Sequence, residues 1–394
     1  MNRAATTTAV AAVLIVPAAG SIGVAALLWA DVPGELYPPM DPLPAVGSLS
    51  AKRCGNCHPD QYAEWARSNH ARAITDPIYR ADLAAQREPF FCDQCHAPLV
   101  EQLPRRTLAL LAIWPRLYPL QRENPRFDPG LHEEGVTCVT CHQVDGFIEG
   151  PRGDPTAHPT RRSEGLLSEQ VCEKCHTLAM QHLGSLQRPL METVTEWREY
   201  RARGGDQVCQ DCHMPAVADR PAAPGSDPKP SRSHALLGPF DREFLGTSLA
   251  VAGARVEAAS GAVRASVQVR NLTGHRLPTA EPHRAVELEL EALDAAGRRV
   301  GAAQARLERV VDLASVKERP GQDSTLRPRE ERTVELSAPV PAGAGARLAR
   351  LTVRFRSWPP EDEIARAAGL PRERLVHPLF TRDFPLPAPE ERAP

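Results

Sequence analysis

A chain of 394 residues with a formal net charge of −2 and no block of like charge has room for two or three domains and lacks the one-signed surface that nucleic acid or an acidic substrate requires. Aromatic side chains make up 5% of it and Pro occupies 39 positions. So many helix breakers and so few large side chains leave the polypeptide alone with a thin core.

The chain begins with an expected membrane anchor or export signal, residues 1–30. After Arg3 no charge occurs until Asp31, and residues 8–30 are long enough to cross a bilayer as a helix. Ala19 offers a small residue for cleavage, whereas Leu28-Trp29-Ala30 makes a poor site. A retained transmembrane helix is therefore expected, with a cleaved signal as the alternative. Arg3 inside and Asp31 and Glu35 outside direct the remainder out of the cytoplasm. Residues 31–50, with Pro33, Pro38, Pro39, Pro42 and Pro44, read as an extended spacer.

Residues 51–244 hold every Cys. Short helices are expected at 60–73 and 190–203, joined by irregular loops, and the Pro-, Ala-, Gly- and Ser-rich stretch 216–233 reads as a loop. From 245 to 358 the pattern changes to strands: 251–270 alternates about Ser260-Gly261, and Val286, Leu288 and Leu290 alternate with Glu287, Glu289 and Glu291. Strands are also expected at 298–307, 332–336 and 348–355. Residues 359–394 read as a Pro-rich tail with one short helix at 362–368. The expected fold class is α+β: an irregular, short-helical first domain followed by an antiparallel β-sandwich, with the N-terminal membrane or signal segment ahead of both.

All ten Cys fall in five Cys-x-x-Cys-His motifs: Cys54, Cys57, His58; Cys92, Cys95, His96; Cys138, Cys141, His142; Cys172, Cys175, His176; and Cys209, Cys212, His213. They recur about every 34 to 46 residues. Zinc ribbons use such pairs in twos, and disulfides demand no following His. Two intervening residues place the sulfurs one helical turn apart, matching the two vinyl groups of a haem, and the adjacent His reaches the iron as proximal ligand. Five covalently bound c-type haems follow, and they supply the apolar mass the polypeptide lacks.

Each iron has a distal position, and eight His lie outside the motifs. Six are candidate distal ligands: His70, His132, His158, His182, His234 and His275. His283 and His377 are expected to be surface or hydrogen-bonded His rather than ligands. A second His gives a low-spin iron suited to electron transfer, whereas an open position suits substrate.

Several elements together resemble the cytochrome c-554-type family of multihaem c-type cytochromes. They are Trp65-x-x-Ser68-x-His70-Ala71, Gly135-Val136-Thr137 before the third motif, Met214-Pro215 after the fifth, Ser233-His234, and Gly274-His275-Arg276-Leu277-Pro278-Thr279. The resemblance spans about residues 50 to 280. It implies closely packed bis-His haems and electron transfer outside the cytoplasm, with a C-terminal β domain in some members. Ala280 stands where that loop has Gly in the family. Members with four haems have one motif fewer, so haem pairing does not transfer.

The expected function is extracytoplasmic electron transfer, with redox protein partners (a membrane donor and a periplasmic or outer-surface acceptor) and no nucleic acid. The chain is expected to be a carrier rather than an enzyme. One alternative is a multihaem reductase or oxidase of a small nitrogen or sulfur compound. The other is a haem-bearing subunit of a larger respiratory complex or filament. Related pentahaem nitrite reductases use Cys-x-x-Cys-Lys at the catalytic haem, a motif that does not occur here.

Overall fold

The computed structural model describes residues 11–18, 21–28, 39–85, 92–113, 116–153, 158–178, 190–312 and 317–387. Two compact units result, one of Met1–Val171 with His213–Leu236 and one of Cys172–Cys212 with Leu237–Pro394.

The first unit combines short helices with small sheets. Its helix Pro59–Trp65 is shorter than the 60–73 expected. Beyond Trp65 the chain is diverted: the His70 carbonyl accepts from Val136 N–H at 2.9 Å, and the Trp65 indole donates to Val136 O at 2.8 Å. Two hairpins replace expected irregular chain. Arg105–Ile113 pairs with Arg116–Glu123, and Ala216–Pro221 with Pro228–Arg232 inside the stretch read as a loop. A register shift between Val217 and Arg220 lets that Pro-bearing ribbon pair.

The N-terminal stretch also departs from expectation. Ala11–Ala18 and Ser21–Leu28 form antiparallel strands, not a helix, and the second pairs with Arg105–Ile113. Val13, Ile15, Val16, Ile22 and Val24 favour strand, and Pro17 removes a helical donor; an apolar run of this length fits either geometry. Residues 1–10, 19–20 and 29–38 lie outside the described residues, and among those described no helix is long and apolar enough to cross a membrane.

In the second unit two antiparallel sheets share one core. A three-stranded sheet runs Leu249–Ala259, Ala262–Asn271, Glu331–Pro339. A five-stranded sheet runs Lys317–Asp323, Arg299–Asp312, Ala285–Leu293, Leu348–Arg356, Val376–Pro385. The Ala285–Leu293 alternation appears as read: Val286, Leu288, Leu290 and Ala292 are fully buried against Val263, Val267, Leu336 and Leu351. Each such Leu contributes roughly 1.5–3 kcal/mol. On the opposite face Glu287 and Glu289 pair with Arg356 and Arg354 across the ladder.

The tail is not coil throughout. Val376–Pro385 is an edge strand, and Pro378 fits because the register shifts between Val353 and Arg354 beside it. The short helix appears as Glu363–Ala367, capped by Asp362, whose side chain accepts from Ile364 N–H.

Candidate haem-binding centre

Four of the motifs occupy one helical turn each, and the first straddles the end of one. Cys54 lies on Ala51–Gly55, with Cys57 and His58 directly after it; Cys92 caps Asp93–His96; the others lie on Cys138–His142, Gln170–His176 and Cys209–His213. Residues three and four apart on a turn share a face. Both sulfurs and the following imidazole therefore leave the backbone toward one side, the geometry that the spacing predicts.

Two pairs of imidazoles oppose each other at the separation one iron sets. The ring centroids of His58 and His158 are 6.3 Å apart, and those of His142 and His234 are 6.1 Å apart. An imidazole nitrogen sits about 2 Å from a first-row metal with its ring centre about 1 Å further back, so two rings on opposite sides of one ion lie about 6 Å apart. Each pair joins a motif His to a distal candidate.

The second nitrogen of these rings is engaged. Nδ1 of His58 donates to Ala222 O at 2.6 Å, that of His142 to Glu149 O at 2.8 Å, and that of His234 to Arg232 O at 3.1 Å. His96 does the same to Ala73 O (2.7 Å), His132 to Gln102 O (2.7 Å) and His275 to Arg276 O (2.8 Å). A carbonyl only accepts, so the proton sits on Nδ1 and Nε2 keeps its lone pair. Ligating His residues are oriented in this way. Nδ1 of His158 lies 3.2 Å from the Thr160 hydroxyl.

Four of the candidate rings, His70, His142, His158 and His234, are shifted toward the neutral form that binds iron. Burial pushes His70 and His234 down to about 4, with added repulsion from His213 and then His96 on His70, and from His142 on His234. Burial also lowers His142 and His158.

Thus His58 meets His158, His142 meets His234, and His70 lies in the field of His213 and His96. His132 sits on Pro129–His132, capped by Asp128, with Phe127 edge-on at 5.9 Å. His275 stands on its loop in the second unit, and His182 lies outside the described residues. His283 stacks on Trp358 at 3.8 Å with Glu281 3.0 Å from its Nδ1, and His377 is buried on its strand opposite Phe355.

Supporting residues carry no sequence signal. Glu134 accepts from Ser50 Oγ (2.5 Å) and Ala51 N–H (2.7 Å), tying the turn of the first motif to the approach of the third. The thiols of Cys54 and Cys138 lie within hydrogen-bonding reach, so these two attachment points adjoin. Tyr79 stacks on His96 at 3.8 Å and donates to Asp93 Oδ1 at 2.6 Å. Glu64 accepts from Arg220 through both oxygens and from the backbone N–H of His234 at 2.7 Å. A charge pattern alone assigns such carboxylates to a solvated face.

In the second unit Glu196 is a buried acid pushed up to about 7 by burial, against hydrogen bonds from Thr279 and Arg276 that lower it. The folded state thus keeps a proton that the unfolded chain has released. Stability should fall as pH rises from the ordinary carboxylate range to about 7, and level off above. Denaturant titrations at pH 5 and pH 8 measure the slope, and Glu196→Gln should flatten it; an equal slope in the variant would contradict the assignment.

The sequence matches no protein-family model, and comparison with curated proteins finds no match. Among solved structures, a penta-haem cytochrome c552 from Thermochromatium tepidum superposes with a TM-score of 0.61 at 21% identity, covering 86% of this chain and 98% of that one. A β-glucuronidase from glycoside hydrolase family 2 overlaps at a TM-score of 0.18 and 9% identity, covering 36% of this chain and 11% of that one. AvmM, which catalyses macrocyclization in alchivemycin A biosynthesis, overlaps at 0.21 and 11% identity, covering 37% and 93%. Neither of these two weak overlaps bears on the fold. The first match does: the chain shares its fold with the penta-haem cytochrome c552.

Proposed function

We propose that the chain is a pentahaem c-type cytochrome of the c-554-type family that carries electrons outside the cytoplasm. The observation that supports this best is the two pairs of opposed imidazoles, at 6.1 and 6.3 Å, each joining a motif His to a distant His. Haem bound there supplies a one-electron iron couple. The chain's own part would be to hold such an iron between two oriented imidazoles, His58 with His158 and His142 with His234, leaving it no position for substrate. The adjoining Cys54 and Cys138 favour a relay of near neighbours over isolated centres. The uncharged run between Arg3 and Asp31 favours export, with redox protein partners outside the cytoplasm: a membrane donor and a periplasmic or outer-surface acceptor.

The purified protein should contain about five haems per chain, given its five motifs. Pyridine-haemochrome spectra should be of the c type, and the oxidised protein should give mainly low-spin EPR signals. A count of four or fewer would overturn the attachment reading, and a stoichiometric high-spin signal would favour an enzyme with an open iron.

A further inference from the structure

The helix Thr193–Ala202 holds the loop that bears His275 at three points. Glu196 Oε2 accepts from the backbone N–H of Arg276 at 3.1 Å and from the Thr279 hydroxyl at 2.5 Å. Thr193 and Thr279 share a hydrogen bond at 2.9 Å. A Cβ added at Gly274 would meet Tyr200 Cδ1 at 3.2 Å and Trp197 Cδ1 at 3.6 Å, so the helix's aromatic side chains lie flush against the loop backbone. On the other side Asn271 Nδ2 donates to the carbonyls of His275 (2.7 Å), Leu326 (3.2 Å) and Arg327 (3.0 Å). The loop ends at Ala280 with φ +65°, so the left-handed turn is kept without Gly. That conformation is unfavourable for an L-residue and persists only where the surroundings enforce it. The same helix is joined to the turn of the fourth motif, because Arg198 grips both oxygens of Glu173 at 2.6 and 2.7 Å.

We propose that Glu196 is the positioning residue for His275: its buried carboxyl group fixes the 274–280 loop so that His275 presents Nε2 to a haem iron as distal ligand. The inference rests on the bis-His reading above. Glu196 does not touch iron; it acts through the backbone on either side of the ligand. A carboxyl group is suited to this because one oxygen takes both donors. Gln offers one carbonyl oxygen with the same reach, whereas Ala leaves a buried N–H and a buried hydroxyl unpaired.

The test compares the EPR and magnetic circular dichroism of oxidised full-length holoprotein with those of three variants. His275→Ala should convert one of the five haems from low-spin to high-spin. Glu196→Ala should convert the same haem, wholly or in large part, and shift only its potential, while Glu196→Gln should retain the wild-type spectrum. If His275→Ala changes nothing, His275 is not a ligand and that part of the bis-His reading fails. If His275→Ala converts a haem but Glu196→Ala leaves all five low-spin, the positioning role is overturned and the ligand reading stands. Should Glu196→Ala not accumulate, Thr279→Val removes one arm of the clamp; a mixed-spin signal at that haem supports the role, and an unaltered spectrum overturns it.

Discussion

Replacing His234 with Ala should turn one haem of five from low-spin to high-spin and open its iron to carbon monoxide. His234 stands 6.1 Å from His142 across the space of a single iron, and its Nδ1 is spent on Arg232 O, so Nε2 faces that space. The variant removes the ring but spares the local frame, because His234 is anchored by its backbone N–H to Glu64, whose carboxylate stays paired with Arg220. The change should therefore remain confined to one centre. Losing a nitrogen donor destabilises the oxidised iron, so the potential of that haem should rise by on the order of 0.1 V, a modest part of the range that axial ligands command. Carbon monoxide difference spectra of the reduced protein read the opened position, and potentiometric titration reads the shift. Retention of five low-spin signals would remove His234 from the ligand set.

The candidate ligands are legible as residues but not as pairs. The five motifs announce themselves by spacing, and the His beyond them by surplus. Their pairing joins His58 to His158 and His142 to His234, separations that no local pattern encodes. Strand legibility follows burial in the same way. Ala285–Leu293 is flanked by strands on both sides, with one face in the core and one face of Glu, so period-two alternation is written plainly. Lys317–Asp323 and Val376–Pro385 are edge strands, where Pro320 and Pro378 are tolerated and the alternation is lost. Glu196 was illegible for another reason. On a helix that also carries Arg198, Glu199 and Arg201 it reads as one more solvated charge, and only the loop packed over it makes it a buried acid. The apolar N-terminal run shows the limit of hydropathy alone: β-branched content and chain length point to different elements in the same residues.

Gly135 is where backbone geometry meets the candidate ligand His70, and Gly135→Ala should destabilise the first unit more than Gly146→Ala does. Its φ is +61°, a region that costs an L-residue roughly 1–2 kcal/mol. An added Cβ would also lie 2.5 Å from the His70 carbonyl, 3.2 Å from Ala73 N and 3.3 Å from Ala71 O. These are backbone atoms that no rotamer change can move aside. The adjacent bonds concentrate the damage: Val136 N–H donates to His70 O, Gln102 Nε2 donates to Gly135 O at 2.6 Å, and the Trp65 indole holds Val136 O. Relief of the overlap requires moving either the approach to the third motif or the backbone that carries His70. Overpacking of this kind adds about 1–3 kcal/mol to the conformational cost. Gly146→Ala is the internal control, since Gly146 has φ +78° but nothing within 4 Å of its added Cβ. Denaturant unfolding should therefore show Gly135→Ala losing about twice the stability lost by Gly146→Ala, on the order of 2–5 kcal/mol in all. A new high-spin fraction should accompany it as His70 is displaced. Equal losses in the two variants, with no change of spin, would mean that the contact with His70 constrains neither the fold nor the ligand.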